Sequence, residues 1–327
     1  MMRLIVLILA AFGLIAAPAC AQERPVRVLY LSQSVGWLHE PVKRTDGALS
    51  SSEVAMQAWA RDTGAFTVEV TQDARDITPA KLADLDVLVF YTTGALPIDQ
   101  ATWTAIQEWI GSGRGGFVGL HSAADTALAF PGGDVAYRDF IGGVFDGHPW
   151  TQGTPIRLTN LEPGHPLAAT WPDSVEYAEE IYQYAGFRPE TVRVLQTLDM
   201  SFGPIRRPYA VPVTWVKPVG ENGRLFFTNL GHTPSTWDDP RYRDQVVAGI
   251  RWVAHRTEAP MTPNPQVQDQ TALTAFAAVH GLSPLTPADP AATAAAIRAL
   301  QPLSPDKHDG ETAEWDRANQ RILDSLE

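Results

Sequence analysis

The segment with the densest set of reactive side chains is 119–125, which reads GLHSAAD. The apolar run 116–118 before it predicts a buried strand. In α/β proteins a strand that leads into a turn of small residues presents side chains beyond the carboxyl edge of the sheet. His121 is therefore predicted to be a general base or a metal ligand, and Asp125 a second catalytic group. Asp125 could equally cap a helix that follows the turn.

Four other histidines lie in turns that follow or flank predicted strands: His39, His148, His165 and His232. Loops after parallel strands meet at one edge of a sheet, so His39 and His121 are expected to be near each other. His232 ends the last strong strand, which favours a functional role. The turn at His148 is compatible with either role, whereas the His-Pro pair at His165 is more typical of a surface turn. The remaining three fall in a helix or in the tail and are interpreted as structural: His255, His280 and His308.

An acidic pair, Glu179-Glu180, stands beside the apolar Ile181. A carboxylate that is held near imidazoles serves as a base or as an oxygen ligand for a cation. Glu180 is predicted in that role, and a solvated acidic pair is the alternative.

Several kinds of site are excluded. Cys20 is the only cysteine and lies in a predicted leader, which excludes a cysteine nucleophile, a thiolate metal site and an intrachain disulfide in the mature protein. Ser122 lacks the flanking glycines of a G-x-S-x-G elbow, which excludes the nucleophilic serine of an esterase. No G-x-G-x-x-G follows the first strand, so no nucleotide cofactor is expected. A formal charge of −12 without a basic cluster argues against nucleic acid as a partner.

Residues 1–21 are typical of a secretory signal peptide, with Arg3 before the apolar run 4–17 and Ala19-Cys20-Ala21 as the cleavage site. The mature protein is therefore expected to be exported to the periplasm. A lipoprotein anchored through Cys20 is the alternative. No later segment is long and apolar enough to predict a transmembrane helix.

Strands and helices alternate in the first half of the chain. Apolar runs predict strands at 26–31, 66–70, 86–91 and 116–120. Helical periodicity lies between them at 51–63 and 98–111. This order predicts an α/β fold, a parallel sheet with right-handed crossovers and helices on both faces.

The second half has a different pattern. Pro/Gly turns separate predicted strands at 156–158, 192–198, 210–216 and 224–229, and a helix is predicted at 239–255. No linker interrupts the chain before Thr257, so residues 22–256 are predicted to form one α/β domain. Residues 257–327 are rich in Pro and Ala and predict a helical extension that carries no chemistry of its own.

A set of short motifs occurs in order along the chain: YTTG at 91–94, GLHSAAD at 119–125, IGGVF at 141–145 with the His-Pro pair at 148, the His-Pro pair at 165, EIY at 180–182, PVTW at 212–215, and the stretch 223–232 that ends in Gly-His. As a set they resemble the trehalose-utilisation (ThuA-like) family over about residues 26–255.

The resemblance implies a flavodoxin-like parallel sheet of the class I glutamine amidotransferase type. In amidotransferases the turn after the strand presents a catalytic cysteine, and His121 holds the corresponding place here, so glutaminase chemistry is not expected. The family is associated with bacterial catabolism of trehalose and related disaccharides, alongside dehydrogenases that make 3-keto sugars. Two positions depart from its pattern: Glu179, where relatives often have Asp, and Val211, where some have a histidine.

The leading hypothesis is an exported enzyme that hydrolyses or eliminates a sugar or 3-keto-sugar glycoside, because a ketone makes the neighbouring C–H bond acidic enough for a protein base. The predicted catalytic residues are His121, Glu180 and Asp125. A divalent metal ion is predicted on His39, His121, His148 and His232. Carbohydrate contacts are predicted at Trp37, Tyr182, Trp215 and Arg224, although such aromatic residues are often core and Arg224 could simply open a hairpin. The alternatives are a carbohydrate-binding module without catalysis and a purely structural metal site; the oligomeric state is not predicted.

Overall fold

The computed structural model of the protein describes residues 24–326, so the predicted signal peptide lies outside the described residues. The strands are β1 Val26–Leu31, β2 Phe66–Thr71, β3 Val87–Phe90, β4 Gly94–Leu96, β5 Gly116–Leu120, β6 Thr126–Leu128, β7 Val144–Phe145, β8 Pro155–Asn160, β9 Ser174–Ala178, β10 Tyr184–Ala185, β11 Arg193–Leu198, β12 Pro212–Val219 and β13 Gly223–Thr228. The α-helices are α1 Ser51–Thr63, α2 Pro79–Ala83, α3 Gln100–Gly111, α4 Gly133–Ile141, α5 Pro240–Val253, α6 Pro265–His280, α7 Pro290–Arg298 and α8 Ala313–Asp324.

Nine strands form one sheet in the order β2-β1-β3-β5-β13-β12-β11-β8-β9. The first five strands in this order run parallel to one another. The other four are added antiparallel, each to its neighbour. The predicted α/β fold with a parallel sheet is confirmed, and the second half of the chain extends that sheet with hairpin-type strands.

Both faces of the sheet are covered, which explains why its central strands are apolar without alternation. In β1, Val28 and Tyr30 pack in one core with Trp59 of α1. Leu29 lies on the opposite face, in a second core that contains Trp103 of α3. Successive side chains of a strand point to opposite faces, so a strand buried on both sides needs apolar residues throughout.

Local sequence signals set the helix ends. At the start of α1 the Ser50 hydroxyl accepts from the Glu53 amide, and the Glu53 carboxylate accepts from the Ser50 amide, which forms a capping box. The helix ends at Gly64 with φ +61°, a left-handed conformation that glycine adopts without strain.

The C-terminal helices pack against the rest of the chain. Leu273 and Phe276 of α6 are buried in the same core as Tyr30. Asn264, just before α6, pairs with the backbone of β11: its Nδ2 donates to the Val194 carbonyl at 2.9 Å, and its Oδ1 accepts from the Val194 amide at 2.9 Å. None of the helices within residues 24–326 combines the length and apolar character that a bilayer span requires.

Candidate active site

His121 follows β5 directly and is the first residue of a 3₁₀ turn, 121–125. Its φ is +44°, in the left-handed region that is uncommon for residues other than glycine. Such strained positions concentrate at functional sites, where the surrounding structure enforces them. The turn also places the His121 ring beyond the carboxyl edge of the parallel strands, where the sequence predicted it.

Four of the predicted residues meet at this edge. One potential ligand atom from each of His39, His121, Glu180 and His232 lies within 4.8 Å of the others. His232 Nδ1 is 3.0 Å from Glu180 Oε1 and 3.2 Å from His121 Nε2, and His121 Nε2 is 3.6 Å from the same carboxylate oxygen. We call these four residues the His/Glu cluster.

Asn229 determines the orientation of His121. His121 Nδ1 lies 2.8 Å from the Asn229 carbonyl oxygen, and because a carbonyl can only accept, Nδ1 carries the proton and donates. In the neutral ring the lone pair is therefore on Nε2, which faces Glu180 and His232; in the protonated ring Nε2 donates to Glu180 instead. This arrangement is the one that orients histidines as metal ligands or as bases.

The electrostatics of the His/Glu cluster follow from its burial. Burial by itself raises the pKa of the Glu180 carboxyl, but the hydrogen bonds and charges of His121 and His232 outweigh burial and hold that pKa well below its usual range. Burial, reinforced by His121 and His232, lowers the pKa of His39 to about 2. Glu180 is thus ionised and His39 neutral at physiological pH, the protonation states in which both can donate electron pairs to a cation.

Glu179 organises the loop that carries His232, a role that the sequence did not reveal. Its fully buried carboxylate accepts from the Gly231 amide at 3.2 Å, from the Thr233 amide at 2.8 Å and from the Thr236 hydroxyl at 2.6 Å. It also accepts from the Thr233 hydroxyl and from the Glu180 amide. Glu179 is therefore a buried carboxylate satisfied by hydrogen-bond donors, and the prediction of a solvated acidic pair does not describe it.

Asn229 also connects the cluster to Tyr182. Its side-chain amide pairs with both backbone groups of Tyr182, at 3.2 Å and 2.9 Å. The Tyr182 hydroxyl in turn lies 3.0 Å from His39 Nε2. Tyr182 is buried, so its ring supports the cluster from the protein interior and offers no open face for a sugar, which corrects the predicted carbohydrate contact. In the sequence Asn229 lies two residues before the Gly-His pair, and an asparagine there is equally typical of an ordinary turn.

Two further predicted residues lie beside the cluster. His148 Nδ1 is 3.7 Å from Glu180 Oε2, its side chain is 44% exposed, and it is not one of the four residues that can share an ion. Asp125 ends the 3₁₀ turn and is half-buried. Burial raises the pKa of its carboxyl to about 6, and the charges of His121 and His148 oppose this rise only in part.

Of the two tryptophans predicted to contact carbohydrate, one is exposed and the other is buried. Trp37 is 72% exposed, and its carbonyl accepts from the Thr93 hydroxyl, so its loop is tied to the strand end. Trp215 is fully buried, stacks on Phe227 and donates to the Ile141 carbonyl, which corrects the prediction of a stacking surface there.

Arg224 is also not at the site. It lies in β13 at the end opposite His232, where its guanidinium donates to the carbonyls of Trp252 and Thr257 and to the Glu258 carboxylate. This placement corrects the predicted substrate contact: Arg224 fastens the end of α5 to the segment that leads into the C-terminal helices.

Comparison with known proteins bears on the family and the fold. The family model described as trehalose utilisation, ThuA, matches residues 27–253. A ThuA-like protein from Bacteroides uniformis has a similar structure, with a TM-score of 0.56 and 21% identity, covering 76% of this chain and 99% of that one. A ThuA-like protein from Parabacteroides merdae gives a TM-score of 0.52 and 16% identity, covering 75% and 99%. At these identities the two structures establish the fold alone, and no curated protein matches.

Proposed function

We propose a function on the premise that this chain belongs to the trehalose-utilisation (ThuA) family, which links it to carbohydrate metabolism. The proposal is an enzyme that hydrolyses or eliminates a sugar or 3-keto-sugar glycoside at the His/Glu cluster. The observation that carries it is the convergence of three imidazoles and one carboxylate within 4.8 Å. A binding role alone does not require such a concentration of groups that accept protons.

The donor set of the cluster fits a divalent cation. Imidazole and carboxylate together suit zinc and other first-row divalent metals. The Nδ1 atom of His39 is buried and has no hydrogen-bond partner among residues 24–326, an unsatisfied state that an additional bound group could relieve. His39, His121, Glu180 and His232 would hold the ion. When bound, it would supply positive charge that stabilises a developing enolate oxygen.

The residues around the cluster supply the proton chemistry. In a 3-keto glycoside, a base takes the proton from carbon 2, and the electron pair of that bond forms the enolate with the ketone. The enolate then expels the glycosidic oxygen from carbon 1, and that oxygen takes a proton from an acid. Addition of water to the resulting double bond makes the net reaction a hydrolysis. We assign Asp125 and His148, which lie beside the cluster, to these proton transfers.

Substrate recognition is assigned to the exposed face of the loop 35–38. Trp37 offers an aromatic ring of the kind that packs on the apolar face of a pyranose. We further propose that residues 1–21 direct the chain to the periplasm. Fusion of these residues to a reporter that is active only after export tests this part separately.

The decisive experiment combines metal analysis with product detection. Protein purified without a histidine tag is analysed for bound metal and then incubated with 3-keto-trehalose, with and without a chelator. We expect about one divalent ion per chain and release of glucose that the chelator abolishes. His121→Ala and His232→Ala should lose both properties, whereas the matched control His255→Asn, at an exposed position just after α5, should keep both.

The outcomes separate the proposal from its two alternatives. Sugar binding without product, unaffected by the chelator, would identify a binding module. Metal loss that lowers the melting temperature but leaves sugar binding intact would identify a structural ion. Either result overturns the proposed enzyme.

A further inference from the structure

The turn that carries His148 is held by the α/β domain on one side. The Asp146 amide donates to the Gln183 carbonyl at 2.8 Å, and the Gln183 amide donates to the Gly147 carbonyl at 3.0 Å. The Gln183 side chain also donates to the Asp146 carbonyl at 3.1 Å. Gly147, with φ +94°, allows the sharp bend that directs His148 toward Glu180.

The same turn is held on its other side by the C-terminal extension. The Lys307 ammonium donates to the Asp146 carbonyl at 2.6 Å and forms an ion pair with the Asp146 carboxylate. Gln301 Nε2 donates to the other oxygen of that carboxylate at 3.2 Å and to the Tyr184 carbonyl at 2.8 Å. Both residues lie outside the segment 27–253 that the family model matches.

The segment 301–307 is itself anchored. The Asp306 carboxylate accepts from two guanidinium nitrogens of Arg207, at 2.6 and 2.8 Å, and from the Ser304 hydroxyl at 2.8 Å. A bidentate Arg–carboxylate pair restricts geometry as well as adding energy. Lys307 therefore reaches the His148 turn from a fixed support, and its side chain is only 17% exposed.

His148 depends on this bracing more than the other imidazoles do. His121 is held by its bond to Asn229, and His39 by its contact with Tyr182. His148 is half-exposed and lies at a longer distance, 3.7 Å, from Glu180. Its ring contacts those of Phe145 and Tyr182, and the backbone of the turn, between Gly147 and Pro149, sets where it stands relative to the cluster.

We propose that Lys307 and Gln301 are positioning residues that fix His148 against the His/Glu cluster, so that the extension completes the site. This inference rests on the proposed function in one respect: it gives His148 a part in proton transfer. It also predicts that related chains lacking the extension need another brace for this turn.

Amide hydrogen exchange tests the brace directly and without substrate. In Lys307→Met, the Asp146 and Gln183 amides should exchange at least about tenfold faster, because the turn opens more often. Gln301→Met should act in the same direction through a different bond. Lys307→Arg should restore much of the protection. The matched control is Arg298→Met, which removes an ion pair with Asp269 in the same extension but leaves the turn untouched.

Kinetics then tests the link to His148. Lys307→Met and His148→Ala should each lower kcat/KM on 3-keto-trehalose about tenfold. The kcat/KM of the double variant should equal that of the less active single variant, because both changes affect the same group. Metal content should stay at the wild-type level in all of them, since neither residue belongs to the four-residue cluster.

Unchanged exchange at both amides in Lys307→Met and Gln301→Met would overturn the brace. Effects of Lys307→Met and His148→Ala that simply add would overturn the positioning of His148. If the wild-type protein does not turn over the substrate, the proposed function fails by itself, and the exchange measurement still decides whether the extension holds the turn.

Discussion

Two adjacent carboxylates in this protein have opposite environments. Glu179 accepts five hydrogen bonds from neutral donors, four of them from the loop 231–236 and one from the Glu180 amide. Glu180 faces the rings of His121 and His232. Because neighbouring residues of an extended segment point in opposite directions, one carboxylate builds the loop and the other serves the site.

Substitution of each carboxylate by its amide should separate these roles. Glu179→Gln places an NH₂ group among hydrogen-bond donors, so we expect the free energy of unfolding to fall by about 3 kcal/mol. Glu180→Gln should abolish metal binding, whereas Glu179→Gln should retain it wherever the protein is folded, because Glu179 is not one of the four ligands. Urea denaturation and metal titration measure the two effects. Metal binding that survives in Glu180→Gln would contradict the assignment.

Asp125 should make stability depend on pH in an unusual direction. Its pKa is raised from 3.8 to about 6 in the fold, so the native state binds a proton more tightly than the unfolded state does. The penalty for ionising it is small at pH 4, close to the unfolded pKa of 3.8, and is fully present above about pH 7. Metal-free Asp125→Asn should therefore be more stable than wild type at pH 7.5, with the difference disappearing toward pH 4. Unfolding curves at the two pH values check this; a difference that grows on acidification would refute it.

Residue types and spacing predicted three of the four cluster members as metal ligands, with His148 where the structure has Glu180, and did not predict their supports. His39, His121 and His232 share an edge because each follows a parallel strand, as the sequence predicted for such loops. Glu180 follows the antiparallel strand β9, whose place in the sheet the sequence did not predict. Asn229 and Glu179 act through backbone groups, which the sequence does not distinguish from those of any turn. Arg224 was misplaced because a strand of six residues has ends about 20 Å apart, and composition does not say which end faces a site.

At the level of elements, the parallel half of the sheet was predictable and the pairing of the antiparallel half was not. Strands β1, β3 and β5 are continuous apolar runs because helices cover both of their faces. Strand β8 alternates buried with more exposed residues, and β9 alternates half-buried with exposed ones, patterns compatible with several partners. Their order depends on long-range packing that no local signal encodes.

His165 helps to hold the segment that leads to α6, and the stability of the protein should respond to acid through it. His165 Nδ1 accepts from the Leu167 amide, so Nε2 carries the proton and donates to the Pro260 carbonyl at 2.8 Å. Burial lowers the pKa of His165 in the fold. The unfolded state therefore takes up a proton near pH 6.5 while the native state does not, and stability falls as pH drops below that value.

His165→Gln preserves one donor and one acceptor but cannot titrate. We expect its free energy of unfolding to decline less than that of wild type between pH 7 and pH 5. Comparison of the two slopes isolates His165 from other histidines, including His39. Parallel slopes would show that the native state tolerates the protonated ring.

At the scale of the whole molecule, the extension and the α/β domain share one core, since Leu273 and Phe276 are buried together with residues of β1 and α5. We expect the full chain to unfold in a single transition, with the same midpoint by near- and far-ultraviolet circular dichroism. Termination after residue 256 should lower the melting temperature by more than about 10 °C or abolish cooperativity. Termination after residue 310, which keeps α6, α7 and Lys307, is the milder comparison. Two separate transitions in the intact chain would indicate independent units.

The depth of the His/Glu cluster has a kinetic consequence. His121 is fully enclosed, and His39 and Glu180 are 2% and 6% exposed. A cation seated there would exchange slowly, because three of its four ligands are almost excluded from solvent and only His232 is partly exposed. The element recovered with the purified protein would then record which ions were abundant in the compartment where the polypeptide folded. Expression with and without export would thus yield different occupants of the same four ligands.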